Sequence, residues 1–328
     1  MTVTRQRILV LGAGGIGGYF GGRLAEAGAD VTFLVRAARQ ERLARDGLRI
    51  ESPFGAAHIP VRTVRAETLE GFFDVVLIAC KAYDLEAAIA DVTPAVGART
   101  AVLPLLNGLA HLDRLNDVFG ASRVLGGLAK IQAAVGEDGT IRQLNDWRFV
   151  VFGEQDGTLT PRVLALQAAF AGAVGVEAEA VSDIRQRMWE KLVHLATAAA
   201  MTCLMRASVG DIVRTPDGAR QFADLFDAVC AIAGHEGFAP GADFVRSYRE
   251  VFSDPASAYE TSMLRDIRQG RRIEGDHIVG YVRDKARRHG ITSPELELAF
   301  THLKAYEQWL ARSSPRREPV PSTAEQSR

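Results

Sequence analysis

Lys191 stands in Met188-Trp189-Glu190-Lys191-Leu192, at the edge of an apolar stripe with helical spacing formed by Met188, Leu192, Leu195 and Ala199. A lysine so placed loses part of its hydration, and its pKa falls toward the range where it donates a proton near neutrality. An ordinary snorkelling lysine gives the same pattern, so both readings stand on spacing alone. His194 follows one turn later, where a lone histidine fits a structural role as well as a substrate contact. Ser262 and Glu274 offer a hydroxyl that can hold a carboxylate and a carboxylate that can hold a ribose hydroxyl or a lysine. Taken alone, they also fit a helix cap and a surface acid. Lys81 and Asn107 follow the apolar runs 73–80 and 100–106, and so stand at the carboxyl ends of strands. In open α/β sheets that edge binds ligands.

The element that gives these groups a reaction is near the start of the chain. Gly12-Ala13-Gly14-Gly15-Ile16-Gly17 lies between an apolar run, 8–11, and a helical pattern, 19–27. That context turns a common string into a dinucleotide fingerprint. Gly12 allows the tight turn, Gly14 lets the backbone approach a pyrophosphate, and Gly17 lets helix pack on strand. The free N–H groups and positive dipole end of the helix then face the phosphates. Residues 30–36 complete a βαβ unit and end at Arg36, with Arg39 close behind and no acid before Glu41. An arginine there suits a 2′-phosphate, which favours NADPH over NADH; a solvated loop arginine is the competing reading. A nicotinamide cofactor supplies a hydride, leaving the protein to supply position, a proton and substrate anchors.

The remaining pattern predicts an α/β fold, with an N-terminal Rossmann-type doubly wound sheet and an all-α C-terminal domain. The expected domains are 1–182 and 183–312, followed by a disordered tail, 313–328, rich in Ser, Pro, Arg and Glu. Further strands are expected at 48–51, 58–61, 124–134, 149–153 and 176–180, with helices at 85–90 and 161–173. In the second half, helices are expected from Ile184 and over 218–236, 261–268, 275–289 and 294–312. Ser293 is the predicted N-cap of the last helix, and Gly290 the predicted end of the one before it.

A chain of 328 residues with 47% hydrophobic and 24% charged residues has the make-up of a soluble globular enzyme. A net charge of −1 gives no basic footprint for nucleic acid, and no apolar run is long enough to span a bilayer. The opening Met1-Thr2-Val3-Thr4 leaves no room for a secretory signal. Cys80, Cys203 and Cys230 lie far apart without a C-x-x-C, which suits buried thiols in a reducing cytoplasm and argues against a disulfide framework or a metal site.

Residues 7 to about 310 resemble the ketopantoate reductase (2-dehydropantoate 2-reductase) family. The resemblance rests on the glycine loop, Arg36, Lys81, Leu106-Asn107-Gly108, Gly153-Glu154, Trp189-Glu190-Lys191-Leu192, and Ser262-Met263-Leu264-Arg265-Asp266 with Glu274. It implies reduction of a small-molecule 2-oxo acid to a 2-hydroxy acid by NADPH, in a cleft between the two domains. By position, it implies that Lys191 is the general acid and that Asn107 contacts the nicotinamide ribose and the substrate. Lys81 would lie beside both, Ser262 would hold the substrate carboxylate, and Glu274 would bond the cofactor ribose near the lysine. Four family asparagines are replaced here by Leu195, Ala199, Val209 and Tyr259. Tyr259 joins His194 on the substrate side, and the expected substrate is ketopantoate or, with those amides replaced, a related bulkier or more apolar 2-oxo acid or ketone. A homodimer through the helical domain is compatible with its exposed faces. The rival from another class is a redox-sensing module that holds NADPH without catalysis.

Overall fold

The computed structural model describes residues 6–313. β1 (Arg7–Leu11) leads into α1 (Gly15–Glu26), and β2 (Asp30–Leu34) into α2 (Ala37–Asp46). A hairpin of β3 (Leu48–Glu51) and β4 (Ala57–Ile59) precedes β5 (Arg62–Val64). β6 (Val75–Ile78), α3 (Leu85–Val92), β7 (Ala101–Pro104) and α4 (Ala110–Phe119) complete the first unit. Its sheet runs β5-β2-β1-β6-β7 with every pairing parallel. Helices cover such a sheet on both faces, which is why its strands read as unbroken apolar runs and why Ile8, Leu9 and Val10 are fully buried. Strand order reverses at β1, so the crevice beyond the carboxyl end of β1 is the topological switch point.

Several expected strands overran their true ends by one or two residues: the chain leaves the sheet after Leu34, and Arg36 becomes the extended residue before α2. At the switch point, Gly12 adopts φ +84°, and a Cβ on Gly17 would lie 2.4 Å from the Gly12 oxygen. Only glycines let the strand turn so sharply into a helix packed against it.

β8 (Leu125–Lys130), β9 (Ala133–Val135), β10 (Ile141–Gln143), β11 (Phe149–Glu154), α5 (Pro161–Ala169) and β12 (Glu177–Ala180) follow. The single strand expected over 124–134 is broken at Ile131 and Gln132, where the Gln132 N–H donates to Asn145 Oδ1 at 3.0 Å. β8 then belongs to a β12-β11-β8 sheet, while β9 joins a β4-β3-β10-β9 sheet. β10 was not expected; it is three residues long and pairs with β3, far earlier in the chain. The expected helix over 161–173 stops at Ala169, with Gly172 and Gly175 at positive φ just beyond it.

The second half contains α6 (Ile184–Met205), α7 (Val209–Val213), α8 (Gly218–His235), α9 (Ala242–Val251), α10 (Ser262–Arg268), α11 (Tyr281–Arg288) and α12 (Pro294–Ser313). α6 is buried on all sides from Ala196 to Cys203, because α8, α10 and α12 pack around it. The apolar stripe therefore governs only its first turns, where Lys191 and Leu195 are half-buried. α7 is a single turn capped by Ser208, too short to show a period; α9 was not read from sequence, although its Phe244, Val245 and Tyr248 pack half-buried against the core at helical spacing. The helix expected over 275–289 begins as a π-helical turn, Asp276–Gly280. Ser293 accepts from the Leu296 N–H at 3.3 Å, and Gly290 at φ +66° follows the end of α11. Ser313 closes α12 instead of opening the tail; residues 314–328 and the opening Met1 to Thr4 lie outside the described residues. Among those described, no helix is long and apolar enough to cross a membrane.

Candidate active site

One cavity of about 1160 Å³ is walled by the glycine loop, the ends of the parallel strands, the 129–135 segment and α10. Gly12, Ala13, Gly14, Gly15, Ile16, Arg36, Lys81, Asn107, Ser262 and Glu274 share its wall. Gly17, Lys191, His194 and Tyr259 are not on it. Gly17 is the packing glycine, and the other three stand further back among the helices. The first turn of α1 carries no acidic residue and Gly14 brings no side-chain cap, so the leading N–H groups are available to an anion. A Cβ at Gly14 would meet no atom within 4 Å, whereas one at Gly15 would lie 2.3 Å from the Ala133 oxygen. The β9–β10 hairpin thus straps across the start of α1.

Arg39 fixes that strap. Its guanidinium donates to the Ala13 and Gly139 oxygens at 3.0 Å each, and Arg42 donates to the Glu137 oxygen at 3.0 Å. Burial, and then the neighbouring Arg42 charge, lower the Arg39 pKa. Arg36 remains exposed, and its guanidinium has no hydrogen-bond partner among the described residues.

Glu274 is buried rather than a surface acid. Its Oε1 accepts from the Ala82 N–H at 3.0 Å, and its Oε2 from Lys81 Nζ at 3.2 Å. Lys81 Nζ also reaches Asp266 Oδ2 at 3.4 Å. Burial lowers the Lys81 pKa, but the charges of Glu274 and then Asp266 more than reverse it, so the group is held above its ordinary value. Lys81 stays an ammonium.

Lys191 Nζ donates to the Ala129 oxygen at 2.8 Å, and Ala129 is on the cavity wall. Burial pulls the Lys191 pKa down to about 8, with the Glu274 charge opposing the fall. Such a group is charged at neutrality and parts with its proton readily, as a general acid requires. His194 stacks on Tyr248 at 4.6 Å between ring centres, with Tyr259 at 5.6 Å and Phe252 at 6.0 Å. Burial, then the charges of Lys191 and Lys130, lower its pKa to about 4, so the ring is neutral at physiological pH. The Tyr259 phenol is pushed up to about 12, chiefly by burial.

Ser262 is not a cap. Thr261 takes that role, its Oγ1 accepting from the Leu264 N–H at 3.2 Å and lying 3.0 Å from Thr202 Oγ1 of α6. Ser262 is exposed, with no hydrogen bond of its own among the described residues. Met263, Leu264 and Ile267 bury the opposite face of α10. Arg265 and Asp266 share the cavity face with Ser262 and received no role from sequence. Their spacing of three and four residues from Ser262 was the signal. The thiols of Cys80, Cys203 and Cys230 are each pushed up to about 12, mainly by burial, and stay protonated.

A family model described as "Ketopantoate reductase PanE/ApbA" matches residues 8–157, and its C-terminal counterpart matches residues 183–307. The chain belongs to the ketopantoate reductase family. It is 38% identical over 305 residues, 92% of this chain and 99% of the relative, to an uncharacterized oxidoreductase, YkpB, of Bacillus subtilis. It is 31% identical to the 2-dehydropantoate 2-reductase of Archaeoglobus fulgidus, covering 87% of this chain and 92% of that one. Among solved structures, the 2-dehydropantoate 2-reductase of Geobacter metallireducens superposes with a TM-score of 0.81 at 30% identity, over 91% of this chain and 99% of the other. This ketopantoate reductase family member is accordingly an oxidoreductase acting on CH–OH groups with a nicotinamide cofactor.

The four positions where the resemblance implies asparagines have clear surroundings. Ala199 and Val209 are buried, Leu195 is half-buried, and the Val209 N–H donates to the Tyr259 oxygen at 3.1 Å. No carboxamide is offered at these four positions.

Proposed function

We propose that this chain reduces a 2-oxo acid to the corresponding 2-hydroxy acid with NADPH, using Lys191 as the proton donor. The observation that carries the reading is Lys191 itself: a half-buried ammonium with its pKa near 8, tethered to a carbonyl of the cavity wall. The open first turn of α1, its glycines and the size of the cavity fit a dinucleotide. When bound, the nicotinamide supplies the hydride. The protein's own part is positional and protonic. Ala129 holds Nζ in place, and Glu274 keeps Lys191 charged while fixing Lys81. Lys191 gives its proton to the oxygen as charge develops there, and regains one from solvent. Asn107 and Ser262 anchor the substrate, and Glu274 and Lys81 serve the cofactor side as well. Leu195, Ala199 and the Tyr259–His194 stack favour a substrate with a bulkier or more apolar group than ketopantoate.

Steady-state rates over a panel of 2-oxo acids and ketones test the substrate class. Dominant activity on ketopantoate removes the claim of an altered pocket. Tight NADPH binding with no turnover on any carbonyl replaces the whole reading by the non-catalytic one.

Arg36 supports NADPH in particular, because it is the exposed, unpartnered arginine after β2, whereas Arg39 is committed to the strap. Loss of a charge-assisted phosphate contact costs about 1.5–3 kcal/mol. Arg36→Ala is therefore expected to weaken NADPH binding by roughly 10- to 100-fold and leave NADH binding nearly unchanged. Fluorescence titration of both cofactors measures this, and an unaltered preference removes Arg36 from the account.

A further inference from the structure

We propose that Arg265 is a specificity residue that binds the substrate carboxylate together with Ser262, selecting 2-oxo acids over neutral ketones. The inference rests on the reductase reading above and assigns its carboxylate recognition to a residue that reading left without a role.

The argument begins with α10. Ser262, Arg265 and Asp266 fall three and four residues apart, on one side of the helix, and all face the cavity. Lys81 and Arg265 are on that wall with Ser262, as is Arg271, an exposed residue beyond the C-terminal end of α10. Lys81 is already neutralised by Glu274 and Asp266. Arg265 is not.

Arg265 has no carboxylate partner among the described residues. Its Nη1 donates to the Glu260 backbone oxygen at 3.0 Å. Gln132 faces the guanidinium end-on; with its carboxamide oriented oxygen-first, as two N–H donors require, the oxygen accepts from Nη2 at 2.5 Å and from Nη1 at 3.2 Å. Both partners are neutral oxygens, so they orient the guanidinium without cancelling its charge. The contrast with Arg268 on the same helix is direct, since Arg268 pairs with the Glu260 carboxylate at 2.6 Å. A guanidinium carries five N–H donors, and these contacts leave the Nε–H and one Nη2 N–H uncommitted. Two such donors match the two oxygens of a carboxylate. Gln132 comes from the link between β8 and β9, and Glu260 from the loop before α10, so Arg265 is gripped from both halves of the molecule.

A purely structural role, as a latch between the halves, predicts a different outcome from a carboxylate-binding role. The experiment compares kcat/KM for the fastest 2-oxo acid of the panel with that for its methyl ester, in wild type, Arg265→Gln and Arg265→Lys. NADPH binding and circular dichroism serve as controls on the fold. Arg265→Gln is expected to lose about 10- to 100-fold in kcat/KM on the acid, mostly through KM, with little change on the ester. Arg265→Lys should recover part of the loss, because it restores charge without the fork. Equal losses on acid and ester, or an acid preference kept intact in Arg265→Gln, overturn the inference and leave the reductase reading standing. A wild type that reduces neutral ketones and no 2-oxo acid overturns the substrate class, and the inference with it.

Discussion

Replacing Lys191 by alanine is expected to lower kcat for carbonyl reduction by about 10²–10⁴-fold, the usual contribution of a positioned general acid. NADPH binding should change little, because Lys191 is not on the wall formed by the glycine loop and Arg36. The expectation follows from placement. A half-buried ammonium with one backbone acceptor, the Ala129 oxygen, keeps two donors for other work. Burial lowers the free energy needed to remove its proton, yet its pKa of about 8 keeps it mostly charged at neutrality. Single-turnover rates of NADPH oxidation on the best substrate measure the effect directly. A variant with near wild-type turnover would assign the proton to another group, and Lys81 would be the first to examine.

The second large effect is expected at Glu274. This carboxylate accepts from the Ala82 N–H and from Lys81, and its charge opposes the burial that depresses Lys191. Glu274→Gln keeps an oxygen for the Ala82 N–H and removes the charge. With that charge gone, burial acts on Lys191 unopposed, so its pKa falls further below about 8. At neutral pH a smaller fraction of Lys191 is then protonated, and kcat should fall by roughly tenfold or more. The alkaline decline of kcat should also begin at lower pH than in wild type. Comparing the two pH profiles checks the direction. An unchanged decline would separate Glu274 from Lys191 and leave it only its Lys81 contact.

The parallel sheet and its glycine turn were legible in sequence because both are local. A buried strand, a glycine loop and a helix follow one another within about twenty residues. α6 was legible as an apolar period beginning near Ile184, and α12 through its start signal at Ser293. What sequence did not disclose depends on partners distant in the chain. The strap of β9 and β10 is short and weakly apolar, and it exists because β3 and the start of α1 receive it. Arg39 received no role from sequence, because its two carbonyl partners, Ala13 and Gly139, lie far from it in the chain. Ser262 read as a cap because hydroxyls favour that position; the neighbouring Thr261 holds it instead, which leaves Ser262 facing the cavity. The burial of Glu274 was equally hidden, since the Ala82 N–H and the Lys81 ammonium that it receives come from the other half of the chain. Lys191 stood between two readings on spacing, and the structure adds the carbonyl at Ala129 and the lowered pKa.

The pH dependence of kcat in the reductive direction, for the wild-type protein with NADPH and its best 2-oxo acid, bears most directly on the central claim. Lys191 must carry its proton to act, so activity should be full below its pKa and decline as pH rises through about 8. Formation of the 2-hydroxy acid should match NADPH consumed throughout. A rate that stays flat well above that pH, or NADPH binding without hydroxy-acid formation at any pH, would contradict the account.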